Sequence, residues 1–366
     1  MAGWDESLWL GSKDYVRPVE YGGPMARLLV TGGAGFIGSN FTRMALKKGY
    51  DVVVLDKLTY AGNLENLRDL LDAGKVEFVH GDVCDPAVVH RAVEGCDAIV
   101  HFAAETHVDR SIAEAGVFVQ TDVYGTHVML EAARKENVDR FVHISTDEVY
   151  GESGKRPSRE DSPLMPKSPY AASKAGADRL AHSYHETFGL PVVITRCVNN
   201  YGPFQHPEKA IPLFTICALL GHPLPVYGSG TNRREWIHVE DHCSALLTLL
   251  RRRDVEGETF NIGTGARKST MQVARAVVDA LGKPRDLIGS TQDRPGYVRS
   301  HAVNSDKIRK ATGWKPLRSF DEESPETVEW YARHQAWWRA TVLGSARQYF
   351  EERYPKLVAA VETLRA

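Results

Sequence analysis

No excess of charge of either sign marks this 366-residue sequence: 45 Lys and Arg stand against 47 Asp and Glu, a formal net charge of −2. Without a global positive field, nucleic acid and anionic membrane are not expected as partners. Cysteine is scarce as well. The five present (Cys84, Cys96, Cys197, Cys217, Cys243) are odd in number, widely spaced and free of any Cys-x-x-Cys pair. That pattern argues against a disulfide framework or a cysteine-based zinc site and fits reduced, buried thiols. No run approaches the ~18 apolar residues of a membrane span, and the N-terminus lacks the apolar core of a signal peptide, so the cytoplasm is the expected location. Among the 14 histidines there is no His-Glu-x-x-His, and no metal is expected. Repeats and low-complexity tracts are missing too, and Arg251-Arg252-Arg253 reads as a solvated helix end.

What is present is ordinary for a soluble globular protein: 43% hydrophobic and 25% charged residues, with 31 Gly and 18 Pro. At ~100–200 residues per domain, the length suits two domains acting on something small. The segment 1–24 is an N-terminal extension of unassigned role, and Met25 is a candidate internal start. From Arg27 to about Arg196, short apolar runs at Leu28–Thr31, Val52–Leu55, Val76–His80, Ala98–His101, Phe141–Ser145 and Val192–Thr195 predict strands. Helical patterns at Phe36–Lys48, Pro86–Glu94, Val117–Lys135 and Pro169–Phe188 separate most of them. Near-continuous apolar strands alternating with helices predict a doubly wound, Rossmann-type parallel α/β sheet with its ligand at the carboxyl ends of the strands. The expected organisation is a dinucleotide domain over 25–199, a smaller and mainly substrate-binding lobe over 200–338 with some segments returning to the core, and a tail of one or two helices over 339–366.

Two local patterns carry chemistry. Thr31-Gly32-Gly33-Ala34-Gly35-Phe36-Ile37-Gly38 follows the first strand and opens the first helix, satisfying G-x-G-x-x-G through Gly33, Gly35 and Gly38, and G-x-x-G-x-x-G through Gly32, Gly35 and Gly38. Such a loop brings backbone N–H groups and a helix N-terminus against a pyrophosphate. Asp56 lies 18 residues beyond Gly38, where a carboxylate accepts from ribose hydroxyls and repels a 2′-phosphate, so NAD is expected rather than NADP. The second pattern is Tyr170-Ala171-Ala172-Ser173-Lys174, whose spacing puts Tyr170 and Lys174 on one helix face. The ammonium, with a cationic nicotinamide close by, is expected to lower the phenol's pKa, so that Tyr170 can take an alcohol proton as hydride leaves the same carbon.

This order, with Ser145-Thr146 ending the fifth strand, resembles the extended short-chain dehydrogenase/reductase family over roughly residues 26 to 338. The adjacent Asp147-Glu148 resembles the nucleoside-diphosphate-hexose 4,6-dehydratases within it. Asp56–Asn63, Ala103–Ser111, Arg196–Pro203, Pro207-Glu208-Lys209, Arg234-Glu235-Trp236, Asn261-Ile262-Gly263 and Asp293–Gly296 support the same group. The resemblance implies NAD as cofactor and dTDP-glucose as substrate, in deoxysugar biosynthesis. Oxidation at C4 acidifies the C5 proton, a base removes it while an acid protonates the departing C6 hydroxyl, and the hydride returns to C6. One carboxyl must therefore be protonated and its neighbour ionised. By resemblance Asp147 is the acid, Glu148 the base, and Thr146 a partner of the 4-hydroxyl beside Tyr170 and Lys174.

The resemblance also implies NAD contacts at Gly32, Gly35, Phe36, Ile37 and Gly38, at Asp56, Lys57, Leu58 and Thr59, at Asp82 and Val83, and at Phe102, Ala103, Ala104 and Thr106. Thr121, Tyr170, Lys174 and Asn200 complete that set. For the sugar nucleotide it implies Thr106, Thr146, Asn199, Glu208, Lys209, Arg234, Asn261, Asp293, Arg294 and Tyr297, with the Arg234 guanidinium the best diphosphate ligand. It implies a homodimer through the helix bearing Tyr170 and the one near Val117–Lys135. The chain departs from the family pattern at Tyr297-Val298, where His-Asp is usual, at Thr106, where Ser is commoner, and at Ala172, where Ser often occurs. A UDP-sugar 4,6-dehydratase, a sugar-nucleotide epimerase and a non-catalytic nucleotide sensor remain as alternatives.

Overall fold

The computed structural model describes residues 26–154, 156–292 and 298–364. The expectations for the segment 1–24 and for Asp293, Arg294 and Tyr297 lie outside the described residues. In chain order the strands are β1 (Arg27–Thr31), β2 (Asp51–Asp56), β3 (Glu77–His80), β4 (Ala98–His101), β5 (Arg140–Thr146), β6 (Val192–Cys197), β7 (Asn199–Tyr201), β8 (Leu224–Tyr227), β9 (Arg233–His238), β10 (Thr259–Ile262), β11 (Arg267–Ser269) and β12 (Ile288–Thr291). Seven form one parallel sheet in the order β10-β6-β5-β4-β1-β2-β3. The order reverses between β1 and β4, which is where a doubly wound sheet opens a crevice at its carboxyl edge.

The sheet strands read as unbroken apolar runs because alternate residues enter different cores. Leu28, Val30, Val52, Val54, Ala98, Val100 and Val142 face Phe41, Ala45, Leu246 and Leu250 on one side. Leu29, Val53, Leu55, Ile99 and Phe141 face Val89, Val93, Met129, Ala133 and Ala181 on the other. Helices Phe36–Lys47 and Val239–Leu250 cover the first face, and helices Pro86–Val93, Gly125–Lys135 and Pro169–Phe188 the second. A third core belongs to the smaller lobe. Its helix Ala210–Leu219 is apolar all round and buried on nearly every side, as such a helix must be.

Two expectations are corrected. The tail is three helices rather than one or two, Gln335–Leu343, Arg347–Arg353 and Pro355–Thr363, broken near Gly344 and Pro355. Its Trp338, Phe350 and Leu357 enter the core of the smaller lobe. The helix expected over Val117–Lys135 contains a π-helical stretch at Val119–Tyr124, between α-helical Ala115–Phe118 and Gly125–Lys135. Asp122, in that wider turn, is buried and accepts from Ser173 Oγ at 2.6 Å and from the Glu105 N–H at 2.9 Å.

The helix Pro169–Phe188 is pinned to the sheet by a buried ion pair. Arg196 of β6 donates through Nε and Nη2 to the two oxygens of Asp178, at 2.8 and 2.9 Å, and through Nη1 to the Tyr150 hydroxyl at 2.7 Å. Removing one partner strands the other charge out of water. Asp178→Ala is expected to lower unfolding stability by about 3–5 kcal/mol, and the double change Asp178→Leu with Arg196→Met to lose clearly less. Urea unfolding midpoints check this, and a single variant no weaker than the double contradicts it.

Candidate active site

The glycine loop leaves β1 through Gly32, whose φ of +66° suits glycine, and a Cβ there would lie 2.7 Å from Ala103 N. A Cβ on Gly38 would lie 2.2 Å from Gly32 O, so helix and loop can touch only without side chains. The helix Phe36–Lys47 has no capping side chain at Gly35 and no acidic residue in its first turn. Its leading N–H groups and positive dipole end are thus available to an anion. Asp56 ends β2 with Oδ2 accepting from Ala34 N at 2.9 Å and Oδ1 from Leu58 N at 2.8 Å, and burial pushes its pKa up. Leu58 adopts a φ of 55° to make that contact.

A cleft of about 360 Å³ runs from this loop along the carboxyl edge of the sheet. Gly32, Gly35, Phe36, Ile37, Gly38, Asp56, Lys57, Thr59, Asp82, Val83, Phe102, Ala103, Ala104, Thr106, Thr121 and Asn200 line it, as do Thr146, Asp147, Glu148, Tyr170 and Lys174. Leu58 does not; its side chain packs against the sheet core and it serves Asp56 through its backbone. A glycine cradle, an open helix N-terminus and a ribose-facing carboxyl in one cleft suit a dinucleotide.

At the far end, β5 stops at Thr146 and the chain turns through a single 3₁₀ turn, Asp147–Tyr150, with Thr146 Oγ1 accepting from Glu148 N at 3.2 Å. That turn sets Asp147 and Glu148 side by side. Asp147 is 3% exposed, and its Oδ2 has no hydrogen-bond partner among the described residues. Burial first, then the Glu148 and Glu235 charges, push its pKa well above the carboxylate range, with Arg234 opposing. Tyr170 enters from the helix Pro169–Phe188, capped by Ser168 Oγ accepting from Ala171 N, and its hydroxyl bonds Thr146. One turn on, the buried Lys174 donates to Ile144 O at 2.7 Å.

The expected lowering of Tyr170 combined the Lys174 ammonium with a cationic nicotinamide, and the protein groups alone act in the opposite direction. The Tyr170 phenol is held well above its ordinary pKa by burial and by the charges of Glu148, Asp122 and Asp147, with the Thr146 hydrogen bond opposing. Lys174 is itself lowered by burial, with Asp122 and Asp178 opposing. The lysine alone does not make this tyrosine a base.

On the substrate side, Asn199 and Lys209 line the cleft. Arg234 lines an adjoining smaller cavity with Glu148, Lys167 and His301. Two expected substrate residues are elsewhere. Asn261 of β10 is fully buried, accepting from Tyr150 Oη at 2.8 Å and donating to Ser158 O and Asn304 O. Its amide is consumed in joining strand to loop. The Glu208 side chain is fully buried beneath Arg110, which donates to it at 3.1 Å.

The sequence profile described as GDP-mannose 4,6 dehydratase matches residues 29–327. The chain belongs to that family. Among its relatives are a dTDP-glucose 4,6-dehydratase of Streptomyces niveus, 50% identical over 85% of this chain and 94% of that one, and the low-salt glycan biosynthesis protein Agl12 of Haloferax volcanii, 50% identical over 83% and 98%. A solved structure, the dTDP-glucose 4,6-dehydratase DesIV of Streptomyces venezuelae with NAD and dTDP bound, matches with a TM-score of 0.84 and 47% identity, over 86% of this chain and 99% of that one.

In this member of the 4,6-dehydratase family, several cleft residues were not singled out from the sequence: Gln205, His206, Trp236 and His242 line it, and Asp122 stands behind it. Asp122 had no local signal, because an acid inside a helical run gives no hint of a π turn. Its pKa is raised to about 6, chiefly by burial.

The raised pKa of Asp147 has a consequence for stability. The folded chain retains a proton there that the unfolded chain releases near pH ~4, so stability is full below that value and falls as pH rises through the folded pKa. Asp147→Asn removes the titration. Its melting temperature relative to the parent should rise between about pH 5 and about pH 8, measured without ligands; a difference independent of pH contradicts the assignment.

Proposed function

We propose that this cleft converts dTDP-glucose to dTDP-4-keto-6-deoxyglucose and water, as an NAD-dependent hydro-lyase of deoxysugar biosynthesis. The observation that carries the reading is the adjacent acid pair, with Asp147 buried and its pKa pushed well up beside Glu148, within the same cleft as Thr146, Tyr170 and Lys174. Simple oxidation or epimerisation needs one proton acceptor. Dehydration needs a donor and an acceptor on neighbouring carbons as well.

NAD would be held by the glycine loop and Asp56, and would supply a hydride acceptor for C4, a hydride donor for C6 and a positive charge that favours the Tyr170 phenolate. Tyr170 takes the proton of the 4-hydroxyl, with Thr146 bonded to the same hydroxyl and Lys174 stabilising the phenolate. Glu148 removes the C5 proton, now acidified by the C4 ketone. Asp147 gives its proton to the C6 hydroxyl, which leaves as water. Glu148 then returns a proton to C5 as C6 is reduced, and the C4 ketone remains. Thr106, Asn199, Lys209 and Arg234 bind the sugar nucleotide, Arg234 at the diphosphate. Asp293, Arg294 and Tyr297, outside the described residues, keep their proposed place in that set, and 25–199 and 200–338 their proposed division into cofactor and substrate regions.

We further propose a cytoplasmic homodimer. Ile112, Val117, Val119 and Tyr124, on the run preceding Gly125–Lys135, and Phe188, ending the Tyr170 helix, are large apolar side chains left exposed. They support a face on those two helices.

Incubation with dTDP-glucose, UDP-glucose or GDP-mannose, followed by mass spectrometry, tests the reaction. Loss of one water from the dTDP sugar is expected; an isobaric product indicates epimerisation, and no change contradicts both. In Glu148→Gln, oxidation at C4 should proceed while elimination stalls, so near-ultraviolet absorbance of reduced cofactor should accumulate, whereas Tyr170→Phe should suppress that signal. Parent-like turnover by Glu148→Gln refutes its role as base.

A further inference from the structure

The C-terminal tail was unassigned by the sequence, and its packing reaches the cleft. Arg110, in the helix Val108–Ala113, lies between two rings, its guanidinium carbon 3.7 Å from the centroid of Tyr60 and 5.0 Å from that of Tyr349. Tyr60 follows β2, whereas Tyr349 belongs to the tail helix Arg347–Arg353. One turn beyond Tyr349, Arg353 pairs with Asp109 at 3.0 Å, and the Tyr349 ring meets His107 edge-on at 5.6 Å. Ser345 also donates to Tyr60 O at 3.3 Å.

The same arginine reaches the cleft wall. It pairs with the fully buried Glu208 at 3.1 Å. Lys209, next in sequence, donates from Nζ to Thr106 O at 3.1 Å. The Tyr60 hydroxyl lies 3.4 Å from Thr106 Oγ1, and His206 packs edge-on against the Tyr60 ring at 5.6 Å. Thr106, His206 and Lys209 all line the cleft. Three separate loops that form its mouth thus converge on one guanidinium, and the tail supplies one of the two faces that hold it. Cation–π contacts of this kind fix the plane of the group.

We propose that Tyr349 and Arg353 of the tail are positioning residues, acting through Arg110 to hold the wall made by Thr106, His206 and Lys209 in register for the sugar nucleotide. The inference rests on the proposed dehydration of dTDP-glucose. Tyr349 and Arg353 touch neither the cofactor loop nor the acid pair, so their loss should weaken ground-state binding while leaving bond-breaking steps alone. Phe350, on the same helix, meets the Tyr349 ring edge-on at 5.7 Å, whereas Val361, on the last tail helix, is buried in the core of the smaller lobe away from this chain of contacts and provides an internal control.

Steady-state kinetics with dTDP-glucose test the proposal. In Tyr349→Leu and in Arg353→Gln, KM should rise about five- to tenfold with kcat within about twofold of the parent, and Tyr349→Phe, which retains the ring, should restore the parent KM. Val361→Ala should lower the melting temperature with KM unchanged. Parent-like KM in both Tyr349→Leu and Arg353→Gln overturns the positioning role, as does an equal rise in Val361→Ala, which would make the tail a stability element only. Absence of turnover by the parent itself overturns the functional reading, and this inference with it.

Discussion

A carboxyl group buried beside a second carboxyl is the constraint on which the site depends. Burial and the neighbouring Glu148 and Glu235 carboxyls push the Asp147 pKa well above the carboxylate range. That environment favours a proton donor without any special chemistry. The surrounding structure maintains that environment: β5 must end at Thr146, the next turn must be a tight 3₁₀ turn, and the helix Pro169–Phe188 must press Tyr170 and Lys174 against the strand end. The Arg196–Asp178 pair keeps that helix in register with the sheet. Burial therefore acts twice, raising Asp147 into a donor and raising Tyr170 so that it becomes a base only beside a positive charge.

The rest of the fold relates to this edge by layers. Alternating residues of the parallel strands fill two cores, which leaves the carboxyl ends as the place where loops can meet a ligand. The smaller lobe brings its own core to one side of the cleft, and the tail completes that core with Trp338 and Phe350 while sending Tyr349 towards the cleft mouth.

Legibility in the sequence followed the range of the interactions. The glycine loop, Asp56 and the Tyr170–Lys174 spacing were readable because each function depends on residues within one turn or one strand–helix unit. The parallel sheet was readable because strands buried on both faces have no polar alternation. Asn261 and Glu208, expected from the resemblance to meet the sugar nucleotide, have protein partners that local spacing cannot show. Tyr150, Ser158 and Asn304 for one and Arg110 for the other lie about 40 to 110 residues away in sequence, and only the packed fold brings them together. The π turn at Asp122 and the upward shift of Tyr170 belong to the same class, since both arise from burial and neighbours rather than from spacing.

The central claim, that Asp147 holds a proton at neutral pH beside Glu148, is open to direct observation by infrared difference spectroscopy between the parent and Asp147→Asn. A protonated carboxyl predicts a carboxylic C=O stretch, sensitive to deuterium exchange, in the parent and absent from the variant. A difference spectrum containing only carboxylate bands would show Asp147 ionised and would contradict the account.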